Sequence, residues 1–437
     1  MTTMTRRLFL CLLGSIVALA TFKNRVFAGK DNLRVNEQSP KFPALGVDED
    51  GQSKVFLSRN GSAEENTRKV IESLGGIEAL IKPTDIVILK PNGQWWNQGM
   101  TNTSSMKAFI ELVLGMKNFA GEVIIAENHH FPEVNSRGWT TEHRNGEYNL
   151  NELVHYFQSQ GFENVTKYHW YDGGPSMPGM WGGAADAGLV NGPEDGDGYH
   201  WEKESVYTAP NGRKALMNYP IFTSAHSNII IDFKNGPWKD GKYLNRNIRF
   251  INFSALNSHG SDTGITASIK NYLGVCDMTC GFRGTTPEGY YNFHHIGLSN
   301  IHWRLKDLLQ KIGWEEHYAA IGGCVGHFMR HVRMADLNIV TAEWAGYGSR
   351  TDTQLRAHTK TILASTDPVA LDYIAAKQVL LPATKKYSQN KQLERYHDPD
   401  NSDSPFYDFL LACHEKGIGN LKEENIDLDE YDFMQDT

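Results

Sequence analysis

Five short apolar runs, each ending in a polar cluster, constrain the fold of this chain more than any other feature. Asp85-Ile86-Val87-Ile88-Leu89 gives way to Lys90-Pro91-Asn92, and Glu122-Val123-Ile124-Ile125-Ala126 to Glu127-Asn128-His129-His130. Asn228-Ile229-Ile230-Ile231 leads into Asp232-Phe233-Lys234, the run 337–342 into Glu343, and the run 361–365 into Thr366-Asp367-Pro368. Runs without polar alternation suit strands buried on both faces, the situation inside a parallel sheet. Between them, residues 63–74, 104–119, 150–160 and 368–380 carry apolar residues at three- and four-residue spacing, the pattern of helices with one buried face. The last begins with Asp367 as N-cap and Pro368 in the first turn. Strands alternating with helices predict an α/β fold with a doubly wound, mostly parallel sheet. Ligands of such sheets bind beyond the carboxyl ends of the strands, and this reading places all five polar clusters there.

Two segments stand apart from that alternation. Residues 172–215 crowd Gly173-Gly174-Pro175, Gly182-Gly183 and Asn191-Gly192-Pro193 together with Trp181 and Trp201. They read as a long Gly/Trp-rich insertion on the ligand side, able to act as a lid. Residues 383–437 are polar and acidic and read as a tail wrapped over the surface, which leaves 54–382 as the α/β domain. With 40% hydrophobic residues, the chain has ample material for one large core.

The amino terminus carries an address. Thr5-Arg6-Arg7 runs into an apolar stretch from Leu8 to Phe22, followed by Lys23-Asn24-Arg25 and the small-residue cleavage site Val26-Phe27-Ala28. This is the layout of a secretory leader, and the paired arginines predict the twin-arginine route, with its translocase as partner and the periplasm as destination. A membrane span needs about 20 apolar residues; this stretch is shorter, so no stable anchor is expected after cleavage at residue 28. Of the 43 basic residues the leader holds four and none of the 51 acids. The mature chain would thus keep 39 basic side chains against 51 acidic, a net charge of -12. Such an acidic balance argues against a nucleic-acid partner, which needs a basic face. Cys276, Cys280, Cys324 and Cys413 remain after the leader and form no closely spaced run, so a ferredoxin-type cluster is not expected. Cys276 and Cys280 read as packing residues or as soft-metal ligands.

The segment Ser254-Ala255-Leu256-Asn257-Ser258-His259-Gly260, followed by Thr263-Gly264-Ile265-Thr266-Ala267-Ser268-Ile269-Lys270-Asn271-Tyr272-Leu273-Gly274, resembles the central motif of the domain-of-unknown-function 362 family. Leu89-Lys90-Pro91-Asn92 and Leu363-Ala364-Ser365-Thr366-Asp367-Pro368-Val369-Ala370-Leu371-Asp372 resemble two further blocks of that family, in the same order. The chain departs from many relatives in carrying Leu256-Asn257-Ser258 where lysines are common, and in lacking an appended iron–sulfur segment.

The motif makes His259 and Lys270 the candidate catalytic residues. His259 would act as general acid or base, and Lys270 as an anion holder or a desolvated amine. The turn at Gly264-Ile265-Thr266 would open a helix whose free amides face an anion. Lys90, Asn92, Thr266, Asn271 and Asp367 are the candidate cofactor-binding residues. Glu127, His129 and His259 are the candidate ligands of a divalent transition metal, with His294-His295 able to complete the set. The cofactor itself is left open: such a metal, or a group inserted before export. His327 and His331, four apart without an intervening acid, read as surface residues. A similar Gly/Thr-rich separation of a histidine and a cofactor-bearing lysine occurs in the nickel-pincer lactate racemases. The expectation is an exported enzyme acting on a small anionic or oxygen-rich substrate, isomerase- or oxidoreductase-like, with a periplasmic small-molecule carrier as the alternative.

Overall fold

A computed structural model describes residues 44–93, 99–128, 142–170, 189–210, 212–277, 289–297, 319–349 and 352–435. The leader, His129, His130, Trp181 and Cys280 lie outside the described residues. The chain divides into two units, residues 1–39 with 210–212 and residues 40–209 with 213–437, and every element named here belongs to the second.

Chain order begins with β1 (Ser53–Arg59), α1 (Ala63–Ser73), β2 (Ile86–Lys90), α2 (Thr103–Leu114), β3 (Glu122–Glu127), α3 (Leu150–Ser159) and β4 (Val165–His169). Each helix starts where a side chain takes its first free amides. Ser62 and Glu65 form a capping box on α1, Asn149 and Glu152 form one on α3, and Asn102 caps α2. A second, antiparallel sheet follows, built from β5 (Gly198–Thr208), β6 (Lys214–Thr223), β7 (Ile230–Asp232), β8 (Gly236–Lys239) and β9 (Lys242–Tyr243). The chain then returns to the first sheet through β10 (Ile248–Gly260) and β11 (Gly264–Thr266), passes α4 (Ser268–Asn271) and α5 (Ala319–His331), and adds β12 (Leu337–Gly346) and β13 (Ala357–Ser365). It ends with α6 (Pro368–Ala375), α7 (Leu381–Tyr387), α8 (Lys391–His397), α9 (Pro405–His414) and β14 (Ile426–Asp432).

The first sheet has the order β14-β1-β13-β12-β10-β2-β3-β4, with β11 paired to β10. All neighbours on the path are parallel except those of β13, which runs against both β1 and β12. The mostly parallel, doubly wound sheet is therefore present. Its windings diverge at one point. From β2 the chain steps through α2 to β3 and through α3 to β4, moving one way. From β10 it steps through α4 and α5 to β12, moving the other way. Right-handed crossovers require helices of the two series to lie on opposite faces. They do. Met106, Phe109 and Ile110 of α2 and Leu153 and Phe157 of α3 pack with Val87 and Leu89, whereas Ile321, Val325 and Phe328 of α5 share a core with Ile86 and Ile88. Ile231, Tyr219 and Phe222 of the second sheet join that latter core.

Four expectations are corrected. The run Asn228–Ile231 is not a strand of the parallel sheet but enters the antiparallel one, since its polar sequel allows a hairpin to β8. Residues 198–208 and 214–215 of the expected insertion belong to strands, with Tyr199 and Tyr207 buried. The expected C-terminal tail is integral to the fold: Phe406, Phe409, Leu410 and Cys413 of α9 are core residues, and β14 pairs along the whole of β1. The helix expected over 368–380 stops its α-helical turns at Ala375, and a wider π-turn over Ala376–Leu380 carries it into α7.

Candidate functional site

The divergence of the two windings lies between β2 and β10, and β2 ends at Lys90. Its register partner on β10 is Asn252, whose partner on β12 is Asn338. Side chains opposite one another in a sheet project from the same face, so these three form a polar row inside an otherwise apolar core. The row is hydrogen-bonded throughout. Asn252 Nδ2 donates to Asn338 Oδ1 (2.9 Å), and Asn271 Nδ2 of α4 donates to Asn252 Oδ1 (2.8 Å). Lys90 Nζ in turn donates to Asn271 Oδ1 (2.6 Å) and to Glu127 Oε1 (2.7 Å) at the end of β3. The second carboxylate oxygen, Oε2, accepts the Gly93 amide at 2.7 Å. Lys90 has no exposed surface and Glu127 is 3% exposed. Burial penalises the charged form of each partner, so it pushes the Lys90 ammonium pKa down and the Glu127 carboxyl pKa up, against their mutual attraction.

Gly274, just beyond α4, closes the site from the other side. A Cβ at that position would lie 2.3 Å from Lys90 Nζ and 2.6 Å from Glu127 Oε1, so only glycine leaves room for the pair. Asn128 ties this turn down, its Nδ2 donating to the Leu273 carbonyl (3.0 Å) and to that of Cys276.

The helix after β11 does not offer its amides to a ligand. Asp372 of α6 accepts the Ser268 amide (2.8 Å), the Ile269 amide (3.0 Å) and the Ser268 hydroxyl (2.6 Å). The expected anion site is thus filled by a carboxylate of the chain itself, and Asp372 is buried, which pushes its pKa up to about 7.

The structure brings some predicted residues together and separates others. Lys90, Asn271 and Glu127 meet directly. His259, at a bulge near the end of β10, has Nδ1 2.6 Å from Thr266 Oγ1 and Nε2 3.9 Å from the Asp262 carboxylate. Lys270 is buried on α4, next in sequence to Asn271. Asn92 is buried and its amide donates to Thr101 Oγ1 (2.7 Å). Asp367 does not join this group. It caps α6 as expected, accepting the amides of Val369 (2.7 Å) and Ala370 (3.0 Å). Because β13 runs antiparallel, its carboxyl end lies at the start of β12 and β1, where Asp367 also accepts from Ser53 Oγ and the Asn420 amide. The metal expectation finds no support: both Glu127 oxygens are engaged by Lys90 and Gly93, His129 lies outside the described residues, and among the described residues no three His, Cys, Asp or Glu side chains converge to hold an ion. His331 is exposed as expected, but His327 is half-buried, 3.2 Å from Ser205 Oγ, and burial pushes its pKa down to about 4.

Sequence reasoning passed over Asn252, Asn338, Gly274 and His397. Asn252 leaves a trace, a lone amide within Phe250-Ile251-Asn252-Phe253. His397 leaves none. It lies in the segment read as a tail, yet it is buried with Nε2 2.8 Å from Ser258 Oγ and Nδ1 2.8 Å from Thr384 Oγ1. Thr384 gives its own proton to the Leu380 carbonyl (2.8 Å), so Nδ1 donates to Thr384 and the neutral Nε2 accepts from Ser258.

The stretch from β10 through α4 that supplies His259, Lys270 and Asn271 has a counterpart elsewhere. Residues 232–377 match the model of a domain of unknown function, DUF362. The DUF362 match takes in two of the three sequence blocks, those around His259–Gly274 and Leu363–Asp372, and Leu89-Lys90-Pro91-Asn92 lies outside it. Lys90 and Glu127 are therefore contributed to the site from outside the matched stretch. No curated protein and no solved structure matches the chain.

Proposed function

We propose that this protein is an exported enzyme that moves a proton on a small, oxygen-rich anionic substrate at the carboxyl ends of β2, β3 and β10. The observation that carries this reading is the Lys90–Glu127–Asn271 cluster at the point where the windings diverge. Open α/β sheets bind ligands at that place. A fully buried ion pair is also a costly construction: it adds little to stability over apolar packing, whereas strained titration is what acid–base chemistry uses. Glu127 holds or releases the proton, Lys90 sets its basicity, and Asn271 fixes the lysine head. His259, oriented through Thr266, is the second acid–base group, and Lys270 supplies positive charge for the substrate.

The test is hydrogen exchange. The mature protein is incubated in deuterium oxide with small 2-hydroxy and 2-oxo acids, and carbon-bound deuterium is followed by nuclear magnetic resonance. Exchange at one substrate carbon, reduced roughly 10²–10⁴-fold in Glu127→Gln and in His259→Asn, is the expected result. No exchange with any of them removes the reading.

A second reading, a periplasmic carrier, draws on a different place. The five-stranded sheet carries a cavity of about 330 Å³ lined by His200, Glu202, Tyr219, Asp232, Lys234 and Tyr243. That volume is at the small end of ligand pockets, and its rings and paired charges suit a hydroxyl-rich molecule. Saturable binding of a neutral sugar without exchange would favour it.

A further inference from the structure

We propose that the cavity of the five-stranded sheet binds a small hydroxylated organic cation, of the class of amino sugars, an inference that rests on the carrier reading for its place and adds the charge of the ligand. Exposure grades from the mouth of the cavity to its floor. Asn191, Glu194 and Tyr243 are exposed at the rim, whereas Tyr219 and Asp232 are buried, at 2% and 1%. A solute therefore has both an entrance and a walled space of about 330 Å³.

The lining sets the sign of the ligand's charge. Three carboxylates, Glu194, Glu202 and Asp232, face one ammonium, Lys234, which leaves two negative charges. Lys234 Nζ pairs with Glu202, and those two cancel. Asp232 is served instead by neutral groups: the amides of Lys234 (3.1 Å) and Asn235 (2.8 Å), Asn235 Nδ2 (3.0 Å) and Tyr243 Oη (2.8 Å). The phenol of Tyr243 registers this field. Burial first, then its bond to Asp232 and the charges of Asp232 and Glu194, push its pKa up to about 12. Such a space repels an anion and draws in a cation.

The same walls supply partners for the rest of the ligand. His200 Nδ1 lies 3.2 Å from the Val190 carbonyl, which only accepts, so Nδ1 carries the proton and Nε2 is an acceptor for a hydroxyl group. The His200 ring lies 5.2 Å from that of Tyr219, centroid to centroid. Aromatic faces favour both an ammonium group and the C–H face of a sugar ring.

Isothermal titration of the mature protein tests this, with D-glucosamine, D-glucose and D-glucuronate as probes. Low ionic strength and mildly acidic pH keep the amine charged and its attraction unscreened. Glucosamine and glucose differ in one group, an ammonium for a hydroxyl. The expected result is one saturable glucosamine site per chain, at least about tenfold tighter than glucose, the difference between a charged and a neutral hydrogen bond. Glucuronate should not bind. Glu194→Gln removes a charge at an exposed position and should weaken glucosamine about 2–5-fold, the range of an exposed ion pair, while Lys234→Gln unmasks Glu202 and should tighten it. Opposite shifts separate a charge effect from damage to the fold. Equal binding of glucose and glucosamine overturns the cationic ligand and leaves the carrier reading standing. Binding of neither overturns the proposal and takes the cavity from the carrier reading as well. Glucosamine affinity unchanged in both variants places its site elsewhere and also overturns the proposal.

Discussion

At the scale of single residues, Lys90 and Glu127 are coupled strongly enough that each is a hazard without the other. Lys90→Met leaves the buried Glu127 carboxyl group with its charged partner gone, and loss of one member of such a pair costs about 3–5 kcal/mol. Lys90→Met with Glu127→Gln removes both charges. The double variant is expected to lose less stability than Lys90→Met alone, measured as midpoints of urea unfolding. Equal losses would mean that the two side chains do not interact. Gly274→Ala keeps both charges and puts a methyl group 2.3 Å from Nζ. It should cost about 1–3 kcal/mol through overpacking, visible as a lowered Tm. The individual residues were legible in sequence, because a lysine or glutamate that terminates an apolar run stands at a strand end. Their partnership was not. It depends on β2 and β3 lying side by side in register, and on α4 returning to the same spot from 181 residues away. A local pattern contains neither fact, and so Glu127 read as a metal ligand rather than as the partner of Lys90.

At the scale of elements, the four-residue helix α4 is held by its first amides. A helix this short cannot persist through its own hydrogen bonds, and Asp372 replaces what cooperativity does not supply. Burial raises the Asp372 pKa from the ordinary 3.8 to about 7 and that of Asp367 to about 6. A carboxyl whose pKa is raised by folding binds its proton more tightly in the native state. Its contribution to stability is complete below about pH 4, declines as the pH rises, and is gone above about pH 7. Unfolding free energy should therefore fall between pH 4 and pH 7. Asp372→Asn stays neutral throughout and should show a shallower fall, with the remaining slope owed to Asp367. Thermal unfolding at pH 5 and pH 8 compares the two, and parallel losses in both proteins would refute the assignment. The cap at Asp367 was legible because Asp-Pro before an apolar helix has a local cause. The direction of β13 was not. Parallel and antiparallel buried strands share one apolar pattern, so nothing in the run 361–365 placed Asp367 away from the Lys90 cluster.

At the scale of the whole molecule, the last 55 residues decide whether the chain closes. Their acidic composition reads as a solvated tail, because the exposed positions of β14 and the loops outnumber the buried ones. Yet Phe406, Phe409 and Leu410 fill the core on the α5 face, and a Cβ at Gly264 would strike the Tyr396 carbonyl at 2.5 Å and Phe406 Cβ at 2.4 Å. That closeness locks the C-terminal helices onto β11, two residues from Thr266 and beside His259. His397 continues the contact to Ser258, and β14 covers the outer edge of β1, where unpaired backbone groups would otherwise invite aggregation. A chain ending at residue 382 should consequently fail to fold: circular dichroism should show no cooperative thermal transition, and limited proteolysis no resistant fragment. A truncated protein that unfolds cooperatively would return residues 383–437 to the status of a surface tail. The same dependence bears on the proposed export. The core is complete only when the carboxyl terminus has been made, so a route that carries folded proteins suits this architecture. Changing Arg6 and Arg7 to lysine should hold the folded protein in the cytoplasm, and fractionation that still finds it in the periplasm would show that the leader serves a different route.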